Sequence, residues 1–96
     1  MNRLEGNWRV ERLSGALLPF GLSKRIRGDA GATLVGSLPV AWFRVEGSVL
    51  VYRGLPVRDL LARVDEDTFA GEGLLLGRRF CRFRLVRVTE PPTPRV

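Results

Sequence analysis

Alternation of apolar and polar positions runs through most of the chain and predicts a series of short β-strands. In Trp8-Arg9-Val10-Glu11-Arg12-Leu13 the residues Trp8, Val10 and Arg12 share one face, because successive side chains of a strand point to opposite sides of the sheet. Trp8 and Val10 are candidates for a core. Lys24-Arg25-Ile26-Arg27 makes a short strand ended by the turn-forming Gly28-Asp29-Ala30-Gly31. Extended structure restarts over Ala32 to Val35, and Gly36-Ser37-Leu38-Pro39 breaks it again. The stretch Ser14 to Leu22 carries Gly and Pro punctuation together with several large apolar residues, and is read as a lid or crossing segment over a barrel mouth.

The clearest hairpin joins Ala41-Trp42-Phe43-Arg44-Val45-Glu46 to Val49-Leu50-Val51-Tyr52-Arg53 through Gly47-Ser48, a two-residue turn suited to type II′. With Glu46 opposite Val49, the register pairs Val45 with Leu50, Arg44 with Val51, Phe43 with Tyr52 and Trp42 with Arg53. Phe43, Val45, Leu50 and Tyr52 then form an apolar inner face. Trp42 and Arg53 lie outside, where a guanidinium can rest on an indole. A closing hairpin, Thr68 to Leu76 with Phe80 to Arg87, turns around Gly77-Arg78. It places Cys81, Phe83, Leu85 and Arg87 on one face and Arg82 and Arg84 towards water.

Between the hairpins, Val57, Leu60, Leu61 and Val64 recur at helical spacing after Pro56 and predict one short helix over 57–64, with a strand as the competing assignment. Asp65-Glu66-Asp67 reads as a solvated turn. The end, Thr89-Glu90-Pro91-Pro92-Thr93-Pro94-Arg95-Val96, cannot readily join a sheet ladder and reads as a flexible Pro-rich tail, 89–96, after a single domain, 1–88. A chain of 96 residues has room for one core, which buries roughly 60 to 65% of the surface exposed on unfolding. Seven or eight short strands fit an all-β, up-and-down antiparallel barrel.

Composition narrows the chemistry. Of the sixteen basic residues only Lys24 is lysine, histidine is absent, and the formal charge is +6. The arginine, glycine, valine and leucine bias suggests a GC-rich bacterial genome, which discounts the arginine count as a functional signal, although the positive field favours acidic partners. One cysteine permits no internal disulfide, and the first residues lack the apolar core of a secretory signal, so a cytoplasmic location is expected. No apolar run approaches the roughly 20 residues that span a bilayer as a helix, and no membrane association is expected.

Gly6-Asn7-Trp8 on the first strand, answered by Arg87 on the last, resembles the lipocalin-like (calycin) barrels. The resemblance implies that Trp8 and Arg87 pack together across the closed end, and that the barrel binds a small molecule. An eight-stranded barrel is just wide enough for side chains to fill it or to hold one small ligand. Trp8, Phe43, Tyr52 and Phe83 are all interior candidates, so a filled core or a small pocket is expected rather than a deep lipid cavity.

The expected function is binding of a small apolar or anionic organic ligand. Its contacts would come from Phe43, Tyr52 and Phe83, with Arg12 as anion or carbonyl partner and Leu17-Leu18-Pro19-Phe20 as a cover. Glu72 faces inward beside Phe83 if the closing hairpin has a two- or four-residue loop, and outward, paired with Arg84, if the loop has three residues. With no histidine and one cysteine, zinc and Ser-His or Cys-His catalysis lack their ligands and bases, haem could draw only on Tyr52 and Cys81 in place of the usual histidine, and no cofactor is expected. Acid-base chemistry can draw on Glu72, Glu11, Asp59, Tyr52 and Arg12. An isomerase, cyclase or lyase in the same barrel is therefore one alternative. A protein partner or homodimer on the Trp42, Val51 and Arg53 face is another. Nucleic acid on the Arg78, Arg79, Arg82 and Arg84 face, with Phe80 as a stacking platform, is disfavoured because the loops lack a dense basic and aromatic cluster. Cys81 reads as a small buried hydrophobe.

Overall fold

The computed structural model describes residues 4–17 and 21–88. Eight strands follow one another: β1 (Gly6–Gly15), β2 (Leu22–Arg27), β3 (Ala30–Val35), β4 (Leu38–Glu46), β5 (Val49–Tyr52), β6 (Val57–Asp65), β7 (Thr68–Leu75) and β8 (Arg78–Arg87). Each pairs antiparallel with the next and β8 returns to β1, which closes an up-and-down barrel. Closure removes the unpaired edges that a small sheet would otherwise present to water and to other chains. Leu18, Pro19, Phe20 and the tail 89–96 lie outside the described residues.

The β4–β5 hairpin has the register expected of its turn: Glu46 lies opposite Val49, Val45 opposite Leu50, Arg44 opposite Val51 and Phe43 opposite Tyr52. Gly47 occupies the first turn position with a φ of 62°, a left-handed conformation that costs glycine nothing. β3 begins earlier than its sequence suggests, at Ala30, because Gly28-Asp29 alone makes the turn.

The segment 57–64 is a strand and not a helix. Val57, Asp59 and Leu61 face the interior, while Leu60 and Val64 are 40% and 61% exposed. A helix over this stretch would leave one edge of β5 and one edge of β7 unpaired and the barrel open, whereas β6 pairs with each of them. The inward Asp59 sits where the strand alternation calls for an apolar residue, and this is what lets the helical stripe stand out in the sequence.

The closing hairpin turns at Leu76-Gly77, one residue earlier than expected. With a two-residue loop and no irregularity, Glu72 would lie opposite Cys81 and point inward. Phe80 is instead an extra residue in β8: Leu74 pairs with Arg79 and Gly73 with Cys81, so Glu72 lies opposite Arg82 and turns outward. A bulge thus does what a three-residue loop would have done, since shifting the register by one flips every side chain.

The barrel is filled from its closed end. Trp8, Ile26, Phe43, Phe69, Phe83 and Leu85 are almost wholly buried. Phe69 meets the Trp8 ring edge-on at 5.3 Å, and the Arg87 guanidinium lies 4.2 Å from the Trp8 ring centre. The Trp8 indole donates to the Leu4 carbonyl at 2.7 Å. Arg87 donates to Asp67 at 3.0 Å and to the Glu5 carbonyl at 2.7 Å. Gly6 has a φ of 134°, a conformation that L side chains rarely adopt, and a Cβ there would also come within 2.7 Å of the Arg87 guanidinium, which together account for the glycine two residues before the tryptophan.

Above this plug, large rings lie against glycine on the neighbouring strand. Gly31 sits opposite Phe43 and Gly71 opposite Phe83, and a side chain at either glycine would overlap the facing ring. The pairing lets a short chain pack bulky aromatics inside a narrow barrel.

Gly71→Ala forces the Phe83 ring out of a packed position and should lower stability by about 1–3 kcal/mol, read from the urea midpoint. Leu76, 77% exposed, adopts a φ of 52° in the last turn. Leu76→Asn should therefore raise stability by about 1 kcal/mol, read as a higher urea midpoint, since the left-handed region costs an L-residue roughly that much and asparagine tolerates it better.

Candidate functional site

Because the strands alternate in direction, the end of β1, the starts of β2 and β6 and the end of β5 meet at the end of the barrel opposite the Trp8 plug. Lys24 shares the inner face of β2 with Leu22 and Ile26. Thr33 lies opposite it on β3. Tyr52 ends the inner face of β5, and Asp59 occupies the inner face of β6 between Val57 and Leu61. Four strands thus aim four polar side chains at one point inside the barrel.

The cluster is tightly bonded. Lys24 Nζ donates to Thr33 Oγ1 at 2.8 Å and to Tyr52 Oη at 2.5 Å, and lies 3.2 Å from Asp59 Oδ2. Tyr52 Oη donates to the same Asp59 oxygen at 2.8 Å, and the Thr33 and Tyr52 hydroxyls are 3.0 Å apart. The rings of Phe43, Tyr52 and Phe83 surround the ammonium at 5.2–5.7 Å. The side chains of Lys24 and Asp59 are only 5% and 6% exposed. An unpaired charge at such a depth would be strongly unfavourable, and the opposite charge together with the hydroxyl network is what makes each tolerable.

Burial alone would lower the Lys24 pKa, but attraction from Tyr52 and Asp59 with their hydrogen bonds outweighs it and holds the lysine above its ordinary value of 10.5. Burial, reinforced by the Asp59 charge, also raises Tyr52 above its ordinary 10.0, against the pull of Lys24. Tyr52 is thus a phenol at neutral pH, where its oxygen accepts from Lys24 while Asp59 forms the salt bridge to the ammonium. Cys81 stands nearby with its thiol pushed up by burial, which leaves it a packing residue.

Over the cluster opens a pocket of about 170 Å³. Val10, Leu22, Val57, Phe80, Cys81 and Phe83 form its walls, Leu17 and Leu55 stand at its rim, and the four polar residues make its floor. Of the residues singled out in the sequence, Tyr52 and Phe83 line this pocket and Phe43 is buried just beneath Tyr52, with ring centres 5.4 Å apart. Arg12 lies outside. β1 is irregular just after it, at Leu13, and the Arg12 Nε donates to the Gly15 carbonyl at 2.9 Å on the exposed rim. Glu72 also lies outside, 3.6 Å from Arg79. It borders a separate hollow of about 180 Å³ with Leu60 and Arg82, away from the polar cluster.

Lys24 and Thr33 escaped the sequence reading, and Asp59 entered it only as one acid-base candidate among several. The available signal was the period-two context: Lys24 lies between Leu22 and Ile26, and Asp59 between Val57 and Leu61, two inward charges of opposite sign in a chain with a single lysine. The bulge at Phe80 turns that ring towards the pocket, and Glu72 and Glu11 stand near Arg79 and Arg84. Phe80, the ring proposed to stack a base on the arginine face, thus lines the pocket. Among the described residues no three His, Cys, Asp or Glu side chains gather as a metal-holding group, and no helix is long and apolar enough to cross a membrane. No family model, curated protein or solved structure matches the chain.

Both raised pKa values have the same sign for stability. Their contribution is complete below pH 10.0, the lower of the two ordinary values, and is lost as pH climbs through the folded-state values. The chain has one tyrosine, so phenolate absorbance reports the cluster alone. Ionisation should lag behind that of the urea-unfolded chain on the pH axis, and the urea midpoint should fall over the same alkaline range. Tyr52→Phe should flatten part of that fall.

Proposed function

We propose that the chain is a calycin-like binding barrel that takes one small, mainly apolar organic molecule at its open end. The observation that carries this reading is the pocket of about 170 Å³, walled by apolar side chains over a polar floor. Binding sites commonly have this composition, apolar walls with a few placed polar groups. The volume is of the same order as an apolar protein cavity of about 150 Å³ that binds benzene, so a single ring or a short branched chain fits. A long lipid has no room, because Trp8, Phe43 and Phe69 already occupy the lower barrel.

Tyr52 and Phe83 would contact the ligand directly, with Phe43 supporting Tyr52 from below. An anionic ligand is less well served than an apolar one: the three protons of Lys24 are engaged within the cluster, and Arg12 is turned away. The alternative of an isomerase, cyclase or lyase working through Glu72, Tyr52 or Arg12 retains only Tyr52 in the pocket, and binding without chemistry is the better supported function.

Native mass spectrometry of protein purified from its own host should find a small molecule that leaves on denaturation. Ala41 is half-buried and lines the pocket, so Ala41→Leu should remove that molecule, and weaken added single-ring compounds at least tenfold, with the barrel's circular dichroism unchanged. Bare wild-type protein that no single-ring compound stabilises against heat would contradict the proposal.

A further inference from the structure

We propose that the ligand of this pocket is a neutral molecule carrying a hydrogen-bond donor, a hydroxyl or an N–H, which it gives to the Asp59 Oδ1 oxygen; the inference rests on the binding function proposed above. Asp59 is 4% exposed. Its Oδ2 oxygen takes both protein contacts, the Tyr52 hydroxyl and the Lys24 ammonium. Among the described residues no donor is bonded to Oδ1, yet no fully buried side-chain nitrogen or oxygen is left without a partner. Oδ1 must therefore touch open space, and Asp59 borders the mouth pocket.

The rest of the floor has no donor left to offer, and of acceptors only a hydroxyl lone pair on Thr33. Lys24 directs its three protons to Thr33, Tyr52 and Asp59. Tyr52 donates to Asp59 and accepts from Lys24, and the two hydroxyls of Thr33 and Tyr52 share a contact. The strongest open position is the Asp59 Oδ1 acceptor, whose carboxylate character favours charge-assisted bonds. A ligand that covers it without a donor strips its hydration and returns nothing, the situation in which polar sites discriminate most strongly.

Charge decides between donor types. Lys24 and Asp59 cancel one another, so the floor is neutral overall. An anion would approach the free carboxylate oxygen, and a cation would come close to the Lys24 ammonium, itself 3.2 Å from the same carboxylate. A neutral hydroxyl or amide-type N–H avoids both repulsions. The apolar walls then hold the remainder of the molecule.

A matched set of single-ring compounds tests this on the intact wild-type protein: phenol, anisole, toluene, benzoate and benzylammonium, each titrated by NMR chemical shift. Phenol should bind at least tenfold more tightly than anisole or toluene, and both ions more weakly than phenol. Equal binding of phenol, anisole and toluene would overturn the donor inference while leaving the binding function standing. Tightest binding of benzoate or of benzylammonium would overturn it through the charge argument. If none of the five binds, the proposed function fails and the inference with it. In the charge-free double variant Lys24→Met/Asp59→Met the preference for phenol over anisole should vanish, and its persistence there would also overturn the inference. Should that variant not fold, the wild-type ranking decides alone.

Discussion

A lysine and an aspartate facing each other inside the barrel set the conditions for everything at its open end. Lys24 on β2 and Asp59 on β6 meet at 3.2 Å with almost no exposure to water. Each is admissible only because the other is present, and the hydroxyls of Thr33 and Tyr52 complete the bonding. The pair also disciplines the fold. A slip of β6 by one residue would bring Arg58 and Leu60 inside and strand Lys24 without its counter-charge. Such a register error costs far more with a buried ion than with an apolar residue.

The interior is consequently divided. Towards the closed end, Trp8 carries the Arg87 guanidinium on its face and the Phe69 ring against its edge, and glycines on neighbouring strands make room for Phe43 and Phe83. Towards the open end, the bulge at Phe80 widens β8, Gly73 leaves space beside Cys81, and the polar cluster limits how far apolar side chains can fill the barrel. A short chain thereby combines a packed core with a small pocket. Neither half needs a loop insertion to build it.

Much of this architecture was legible in the sequence, for local reasons. Gly47-Ser48 sets a turn whose geometry dictates the pairing of Phe43 with Tyr52. The alternation in Phe80 to Arg87 separates inward Phe83 and Leu85 from outward Arg82 and Arg84, and Gly6-Asn7-Trp8 with Arg87 announced the closed end. The errors arose where a local pattern met a non-local constraint. Leu60 and Val64 complete a helical stripe only because β6, needed on both sides, tolerates apolar residues on its outer face. Glu72 changed face through a bulge that no residue pattern marks. Arg12 obeys alternation in the sequence but sits at the barrel's rim, where its side chain reaches the Gly15 carbonyl. The polar cluster was hidden because a lone lysine and a lone aspartate on separate strands look like ordinary surface charges until the barrel closes and brings them together.

The most direct measurement of the account is a double-mutant cycle on the buried pair, using urea unfolding of Lys24→Met, Asp59→Leu and the combined variant at neutral pH. Each single substitution leaves the opposite charge buried without compensation and should cost about 3–5 kcal/mol. The double variant should lose clearly less than the sum of the two single losses, with a coupling of at least about 2 kcal/mol. Additive losses would contradict the claim that these two side chains hold each other in place.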